Sequence, residues 1–290
     1  MEAPRRLCIE VPHHISAFWL PFYEEDPLRT GSIGAGFLIK PNAVACYPGR
    51  GPLRTRAPRQ ANIIRRVLKI KESIPFQYRD PLPHSVGYAV SAAFSISYSF
   101  YLLMHARGRT MLGEICRAAH IAEVRSGTGL GDVSAICMGK GIVIRQSPGA
   151  PGYSAVDSLI ESIGKYRVIT SIIRKMSTEK MLQAYGEQIK KEGERIFKKF
   201  AENPSLSNLV EAGREFSLSV GMMTREMDEE LKRAFRRIDA LGYFVKKGLI
   251  VVVVEKGEVN EALESLISLF GNARSHTISE NGLSIRELME

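Results

Sequence analysis

The sequence has few cysteines, and each of the four stands alone, at Cys8, Cys46, Cys116 and Cys137. No two of them form a CxxC pair, which excludes the zinc and dithiol redox motifs built on that spacing. The start of the sequence also lacks the charged-then-apolar pattern of a secretory signal. We therefore expect reduced, unpaired thiols and a cytoplasmic protein.

Long uncharged runs are rare as well, and only residues 86–104 (VGYAVSAAFSISYSFYLLM) have the length that a bilayer span requires. The four serines, three tyrosines and one glycine of this segment reduce its hydropathy. We expect a helix that is buried in the core of a globular protein. A membrane span is the less favoured alternative.

Acidic residues are too few to balance the basic ones, which leaves a net charge of +9. Such a chain suits nucleic acids and anionic small molecules equally. The basic segment at residues 50–66 has no interleaved aromatic side chains, so it gives little support to single-strand binding. A nucleic-acid-binding module built on that segment remains an alternative.

The order of predicted elements indicates an α+β chain with two domains. Strand and helix patterns lack a steady βαβ repeat, and 290 residues suit two domains of ordinary size. A linker-like segment at residues 146–154 divides residues 1–152 from residues 153–290. Strands are expected at 6–11, 140–145, 166–173, 248–255 and on both sides of a Pro-Asn turn at 41–42. A turn and an apolar loop are expected after residue 11, and residues 62–70 are expected to form a strand or a short helix. Helices are expected at 110–124, from a cap at Ser177, from Glu258, and at two places between these last two.

Three glycine-bearing segments stand out, at residues 30–36, 81–93 and 126–132. None matches a P-loop or a dinucleotide-binding fingerprint. The second segment leads into the apolar helix through Ser91-Ala92-Ala93. Small residues at a helix start let an anion approach free N–H groups, although tight helix packing explains them equally well.

The third segment follows a pair of ionisable residues. His120 and Glu123 are three positions apart and share a helix face, among alanines and an isoleucine. They are either a hydrogen-bonded structural pair or part of a ligand and metal site. The glycines after them allow Asp132 to fold back toward the pair.

These features resemble the GHMP kinase superfamily, whose members phosphorylate small-molecule alcohols. Within it, the segments PHHISAFW, TGSIGAGF, HIAEVRSGTGLGDV and IVIRQSPG and the Ser177-Thr178 pair are similar to archaeal-type pantoate kinases. The similarity runs from Pro12 to about Thr178. The chain departs from the superfamily pattern at His13, Ser85 and Ala89, where glycines are usual, and in the C-terminal glycine-rich motif, which retains only Leu241-Gly242.

The resemblance implies a fold and a set of residue roles. It implies an N-terminal domain like ribosomal protein S5 domain 2, a ferredoxin-like C-terminal domain, and a nucleotide cleft between them. Ser91 and Glu123 would hold Mg²⁺ and the ATP phosphates, with Gly87, Ala92 and Ala93 beside the phosphates. Asp132 would be the catalytic carboxylate, and Ser32, His120, Arg145 and Thr178 would contact pantoate.

Each of these residues also has a plainer interpretation. Arg145 could be a surface arginine at a strand end, Thr178 a helix cap, Ser32 a turn residue and Asp132 an Asx-turn that closes the glycine loop. The function that the resemblance implies is ATP- and Mg²⁺-dependent phosphorylation of pantoate to 4-phosphopantoate in archaeal coenzyme A biosynthesis, by a homodimer. The alternatives are a GHMP kinase for homoserine, shikimate or mevalonate and a catalytically inactive regulator.

Overall fold

Two antiparallel sheets carry the fold in the computed structural model, which describes residues 5–49, 58–72, 74 and 76–289. In the first sheet the strand order is β10-β1-β2-β4-β5, and β3 pairs with β2. In the second sheet the order is β7-β8-β6-β9. The strands are β1 (Arg5–Phe22), β2 (Gly31–Tyr47), β3 (Tyr78–Arg79), β4 (Ile142–Arg145), β5 (Val156–Leu159), β6 (Tyr166–Ile172), β7 (Ala240–Lys246), β8 (Leu249–Glu255), β9 (Arg274–His276) and β10 (Ser284–Met289).

The long hairpin of β1 and β2 is the frame of the first sheet, and here the sequence prediction is wrong. The predicted turn after Val11, the apolar loop behind it and the Pro-Asn turn all lie within continuous strands. Pro12 and Pro41 fall in a register shift, where Val11 pairs with Ala43 and the next pair is His13 with Ile39. A proline is tolerated at such an irregularity because the ladder does not need its missing N–H there.

The two faces of this hairpin pack against different cores. Leu38 belongs to the core formed with the apolar helix, whereas its neighbour Phe37 packs against Phe244 of the second sheet. Successive strand residues point to opposite faces, so one hairpin serves both layers. Ser32, the predicted pantoate contact on β2, therefore lies in a strand that packs between two cores.

Eight α-helices cover the sheets in the part of the chain that the structure describes. They are α1 (Pro58–Leu68), α2 (Val90–Arg107), α3 (Leu112–Ser126), α4 (Asp132–Met138), α5 (Thr178–Glu202), α6 (Leu206–Ser219), α7 (Arg225–Ala234) and α8 (Val259–Phe270). Residues 62–70 lie mostly in α1, so of the two predicted structures for that segment the helix is right. Residues 50–57 of the basic segment lie outside the described residues.

Helix α2 is buried on nearly all sides, as its sequence predicts. It packs between the β1–β2 hairpin and helices α1 and α3. Among the described residues, no helix combines the length and hydropathy that crossing a bilayer requires. The serines of α2 are used inside the core: Ser99 bonds to the Ser95 carbonyl at 2.8 Å, and Ser95 reaches Glu123.

The sheets interleave across residue 152. Strand β5 and the C-terminal strand β10 both belong to the first sheet, and Ile278 bridges to Ile39 of β2. The division into residues 1–152 and 153–290 therefore stays a prediction, and the first layer receives strands from both segments. Strands β3, β5, β7, β9 and β10 and helix α4 are absent from the sequence prediction.

The expectation of unpaired, reduced cysteines is wrong. Cys8 and Cys46 face each other as partners in the β1–β2 ladder and form a disulfide, and Cys116 of α3 forms a second one with Cys137 of α4. Sequence spacing could not reveal either pair, because strand register and helix packing bring the residues together. The cytoplasmic location stays a prediction.

We predict that the oxidised chain exposes no free thiol when unfolded without reductant, as titrated with a chromogenic thiol reagent. The disulfides close chain segments of 38 and 21 residues. Loop-closure entropy for such lengths corresponds to about 3–4 kcal/mol each. Reduction should lower the free energy of unfolding in urea accordingly, and four titratable thiols in the untreated protein would contradict the pairing.

Candidate functional site

A cavity of about 310 Å³ opens where several chain segments meet. The segments are α1, the loop before α2, the first turn of α2, the glycine loop that ends at Asp132, the start of α5 and the β7–β8 turn. Ser91, Thr178, Lys246 and Lys247 are among the residues that line it. The site therefore draws on both halves of the sequence.

The floor of the cavity is the N-terminal end of α2. Ala89 precedes the helix in the left-handed conformation (φ 58°), and no side chain caps the helix there. Gly87 lines the cavity with φ 124°, a backbone angle that favours glycine. The first N–H groups of a helix have no intrahelical partner, so this end can receive an anion.

The small residues at this helix start play different parts. Ser91 lines the cavity, whereas the Ala92 and Ala93 side chains are buried in the apolar core beside α3. Tight packing thus explains these two side chains, and only their backbone can face a ligand. Ser85, at a position where glycine was expected, also adopts a positive φ, of 65°.

Glu123 lies behind Ser91 in a nearly water-free position. Its side chain accepts hydrogen bonds from the Ser91 hydroxyl at 2.7 Å and the Ser95 hydroxyl at 2.9 Å, and the residue is 1% exposed. Burial raises the pKa of Glu123 to about 7, although these hydrogen bonds oppose the shift. Near neutral pH the carboxyl is poised between its two protonation states.

Asp132 begins helix α4 and faces both Glu123 and a group of cations. A Cβ built on Gly129 would lie 3.0 Å from Glu123 Oε2 and 3.6 Å from Asp132 Oδ2, so the two carboxylates face the same glycine. Asp132 Oδ1 is 2.7 Å from His14 Nδ1 and 4.0 Å from Lys246 Nζ.

The electrostatics of this pocket keep Asp132 ionised. Burial acts to raise its pKa, but Lys246, His14 and Arg145 lower it well below the usual range of a carboxyl. The His14 side chain is fully buried, and burial lowers the pKa of His14 to about 4 even though Asp132 opposes the shift. At neutral pH the imidazole is therefore neutral, and it donates from Nδ1 to the carboxylate.

A second, smaller cavity of about 50 Å³ adjoins the first and shares Asp132, Thr178 and both lysines with it. Ser32 and Arg145 line this second cavity. The close packing around it is visible at Gly131, where a Cβ would collide with Ser32 Oγ and lie 2.6 Å from Arg145 Nε. Only glycine fits between these side chains.

Arg145 is not a surface arginine, because it is only 2% exposed. Its Nε donates to the Ser32 carbonyl at 3.3 Å, and one terminal nitrogen lies 3.4 Å from His14 Nε2. Burial lowers the pKa of Arg145 to about 10, and the nearby Asp132 opposes that shift. The guanidinium thus stays charged at neutral pH with its outer edge at the cavity.

Thr178 is not the cap of α5, since Ser177 performs that role and accepts from the Lys180 N–H at 3.2 Å. The Thr178 hydroxyl donates to the Thr128 carbonyl at 2.7 Å and accepts from Lys247 Nζ at 2.6 Å. It therefore ties the glycine loop, α5 and the β7–β8 turn together at the cavity wall.

His120 is not placed with the others. It lines neither cavity, and its Nε2 lies 2.9 Å from the Thr30 carbonyl, buried in the protein. Burial lowers the pKa of His120, against the effect of backbone hydrogen bonds to Thr30 and Pro27. His120 and Glu123 lie on the same helix, α3, but contact different neighbours. The predicted contact between His120 and the substrate therefore stays a prediction.

The charged or ionisable residues at the site that are absent from the sequence prediction include His14, Arg59, Lys246 and Lys247. His14 and its neighbour His13 point to opposite sides of β1, and His13 is used structurally, 3.1 Å from Asp80 Oδ1. The lysines stand in the KKG turn between two apolar strands. Two adjacent lysines before a glycine, in a turn between apolar strands, were the sequence signal that could have identified them as site residues.

The chain is similar to proteins of known function and to solved structures. No family model matches the chain. The pantoate kinase of Methanocaldococcus jannaschii is 30% identical over 224 residues, which cover 74% of this chain and 81% of that protein. A solved phosphotransferase related to the coenzyme A biosynthesis pathway superposes with a TM-score of 0.81 at 21% identity, over 97% of this chain and 98% of that one.

Homoserine kinase from Cytophaga hutchinsonii superposes with a TM-score of 0.65 at 13% identity, over 97% of each chain. The fold is therefore the α+β fold of the GHMP kinases, which confirms the fold class that the sequence resemblance implied. At these identities the two solved structures establish the fold only.

We predict that Glu123 makes the protein less stable as the pH rises from about 4.5 to 7. The folded state keeps a proton up to about pH 7 that the unfolded chain loses near 4.5, which corresponds to about 3 kcal/mol. In the Glu123→Gln variant this pH dependence should be absent. The measurement is the free energy of unfolding in urea from pH 4.5 to 8. Because other groups titrate in both proteins, the difference between the two curves is the quantity to compare, and a flat difference would contradict the assignment.

Proposed function

The chain belongs to the pantoate kinase family, and on that premise we propose that it transfers the γ-phosphoryl group of ATP to the C4 hydroxyl of pantoate. The product, 4-phosphopantoate, would serve an archaeal route to coenzyme A. The observation that carries the proposal is the position of Asp132, ionised at the junction of two adjoining cavities. The larger cavity suits a triphosphate and the smaller one the acceptor.

The larger cavity has the features that a nucleotide triphosphate needs. Its floor is the uncapped start of α2, with Gly87 and Ser91 beside it, and three basic residues, Arg59, Lys246 and Lys247, line its walls. Backbone N–H groups and cations are the donors that phosphoryl oxygens accept. Phosphoryl transfer depends mainly on such positioning and charge neutralisation.

The oxygen donors near this floor fit Mg²⁺. Glu123 and Ser91 offer a carboxylate and a hydroxyl oxygen within hydrogen-bonding distance of each other, and a hard cation prefers such ligands. Among the described residues no group of three or more His, Cys, Asp or Glu could hold a metal ion. Two protein ligands suit Mg²⁺, because it usually completes its shell with phosphates and water and there neutralises phosphate charge.

Asp132 orients the acceptor hydroxyl. A carboxylate whose pKa is this low is a weak base, so it accepts a hydrogen bond from the hydroxyl and takes the proton late, as the new P–O bond forms. His14 fixes the orientation of this carboxylate, because its Nδ1–H donates a hydrogen bond to Asp132 Oδ1.

The smaller cavity supplies recognition of a carboxylic acid. Arg145 presents a buried, charged guanidinium, which can clamp a carboxylate with paired N–H donors. Ser32 and Thr178 line the same space with hydroxyl groups. His120 supports this site from outside, since it holds the Thr30 carbonyl two residues before Ser32. Homodimer formation and the absence of nucleic-acid partners stay predictions.

We predict that purified protein releases ADP when it is given ATP, Mg²⁺ and pantoate. Asp132→Asn should lower kcat by about 10²–10⁴-fold, because the amide cannot accept the hydroxyl proton, while binding of a non-hydrolysable ATP analogue is retained. The measurement is a coupled ADP assay beside calorimetric titration. A fully active Asp132→Asn protein would remove this residue from the mechanism.

Arg145 tests whether the acceptor is bound through a carboxylate, a group that pantoate shares with homoserine, shikimate and mevalonate. Arg145→Gln should raise KM for pantoate by about 10–100-fold, because charge-assisted hydrogen bonds contribute about 1.5–3 kcal/mol, and should leave KM for ATP nearly unchanged. Steady-state kinetics with each substrate varied in turn give both constants. A faster reaction of the wild-type enzyme with homoserine, shikimate or mevalonate would assign the acceptor differently.

A further inference from the structure

Two adjacent lysines project from the β7–β8 turn into the site. Lys246, the last residue of β7, is 5% exposed, and Lys247 and Gly248 form the turn to Leu249. Both lysines line the larger and the smaller cavity. No role follows for them from the sequence resemblance, because the glycine-rich motif expected near here is poorly kept.

The turn that carries these lysines has a strained backbone at Lys247. Lys247 adopts a left-handed backbone (φ 58°), a conformation that glycine would adopt without strain. The next residue, Gly248, must be a glycine for a different reason, since a Cβ there would collide with the Arg174 carbonyl. Strained non-glycine residues cluster at functional sites, which makes this turn a candidate for one.

The two ammonium groups have different surroundings. Lys247 Nζ donates to the Thr178 hydroxyl at 2.6 Å and so holds the start of α5 against the turn. Lys246 Nζ lies 4.0 Å from Asp132 Oδ1, beyond hydrogen-bonding distance, and makes no hydrogen bond to any residue that the structure describes. Its donors therefore remain available at the junction of the two cavities.

An ammonium group at this junction faces the place where the phosphoryl group must pass. Asp132, which orients the acceptor, is 4.0 Å away, and the anion-receptive start of α2 lines the same cavity. Asp132 offsets the charge of the buried ammonium group, but no acceptor among the described residues lies within hydrogen-bonding distance of its donors, and unsatisfied buried donors are costly. The transferring phosphoryl group carries such charge on its three outer oxygens.

We propose that Lys246 is a catalytic residue whose ammonium group binds the transferring γ-phosphoryl oxygens, with Lys247 as the positioning residue that fixes the turn. This inference rests on the proposed kinase function. In the step, the bond from the γ-phosphorus to the β–γ bridging oxygen breaks and the bond to the acceptor oxygen forms. The hydroxyl proton passes to Asp132 and then to solvent, and Lys246 stays protonated throughout.

The test replaces Lys246 by an uncharged side chain of similar length. Lys246→Met should lower kcat by at least 100-fold and change KM for the acceptor by less than threefold. The matched control is Lys256→Met, at the far end of β8, where the lysine is exposed and should be dispensable. Thermal unfolding verifies that each variant folds. A kcat of Lys246→Met within threefold of the wild type would overturn the proposal.

A second variant tests the charge itself. Burial lowers the pKa of Lys246 to about 8, with Asp132 acting against this and Lys247 and Arg145 adding to it. The kcat/KM of the wild type, which reports the free enzyme, should therefore decline above about pH 8. Lys246→Arg should retain most activity and move that decline to higher pH. An active Lys246→Arg enzyme whose activity declines at the same pH as that of the wild type would contradict a role for the positive charge.

These outcomes are separate from the fate of the proposed function. Turnover of pantoate by the wild type tests the function, and the ratio of variant to wild-type kcat tests Lys246. Should the wild type prefer another alcohol, the same ratio is measured with that alcohol. Lys246 is then judged independently of which acceptor the enzyme uses.

Discussion

The site depends on one ionised carboxylate surrounded by buried cations. Burial acts to raise the pKa of Asp132, and the carboxyl stays charged because His14 donates to it and Lys246 and Arg145 surround it. Each of these partners comes from a different strand: β1, β7 and β4. The two sheets must therefore pack correctly for these partners to surround the carboxylate, which links folding of the chain to the chemistry.

Helix α2 links the core to the phosphate end of the site. Its apolar side chains fill the space between the β1–β2 hairpin and α3, so its uncapped first turn is fixed rigidly at the cavity floor. Two of its serines turn instead to Glu123 and keep that buried carboxyl hydrogen-bonded. A single helix thus provides the anion-receptive backbone and the support for the candidate metal ligand.

The sequence predicts those parts of the molecule that local patterns determine. The apolar run of α2, the cap at Ser177 and the strand before Glu255 are all visible in it, and the superfamily resemblance supplies the fold class. Features set by long-range register are not visible. Cys8 meets Cys46 and Pro12 lies within a strand because of how β1 pairs with β2, and His14 of β1 contacts Asp132, which is distant in the sequence. The KKG turn reaches the site only through packing of the second sheet on the first.

The most direct measurement of the central claim is the protonation state of Asp132. Comparison of ¹³C NMR spectra of aspartate-labelled protein and its Asp132→Asn variant identifies the Asp132 carboxyl signal, which is then followed as the pH is lowered. We predict that this signal does not titrate before the protein unfolds in acid, because the surrounding cations hold the pKa far below its usual range. A carboxyl that titrates near pH 4 or above in the folded protein would contradict the account.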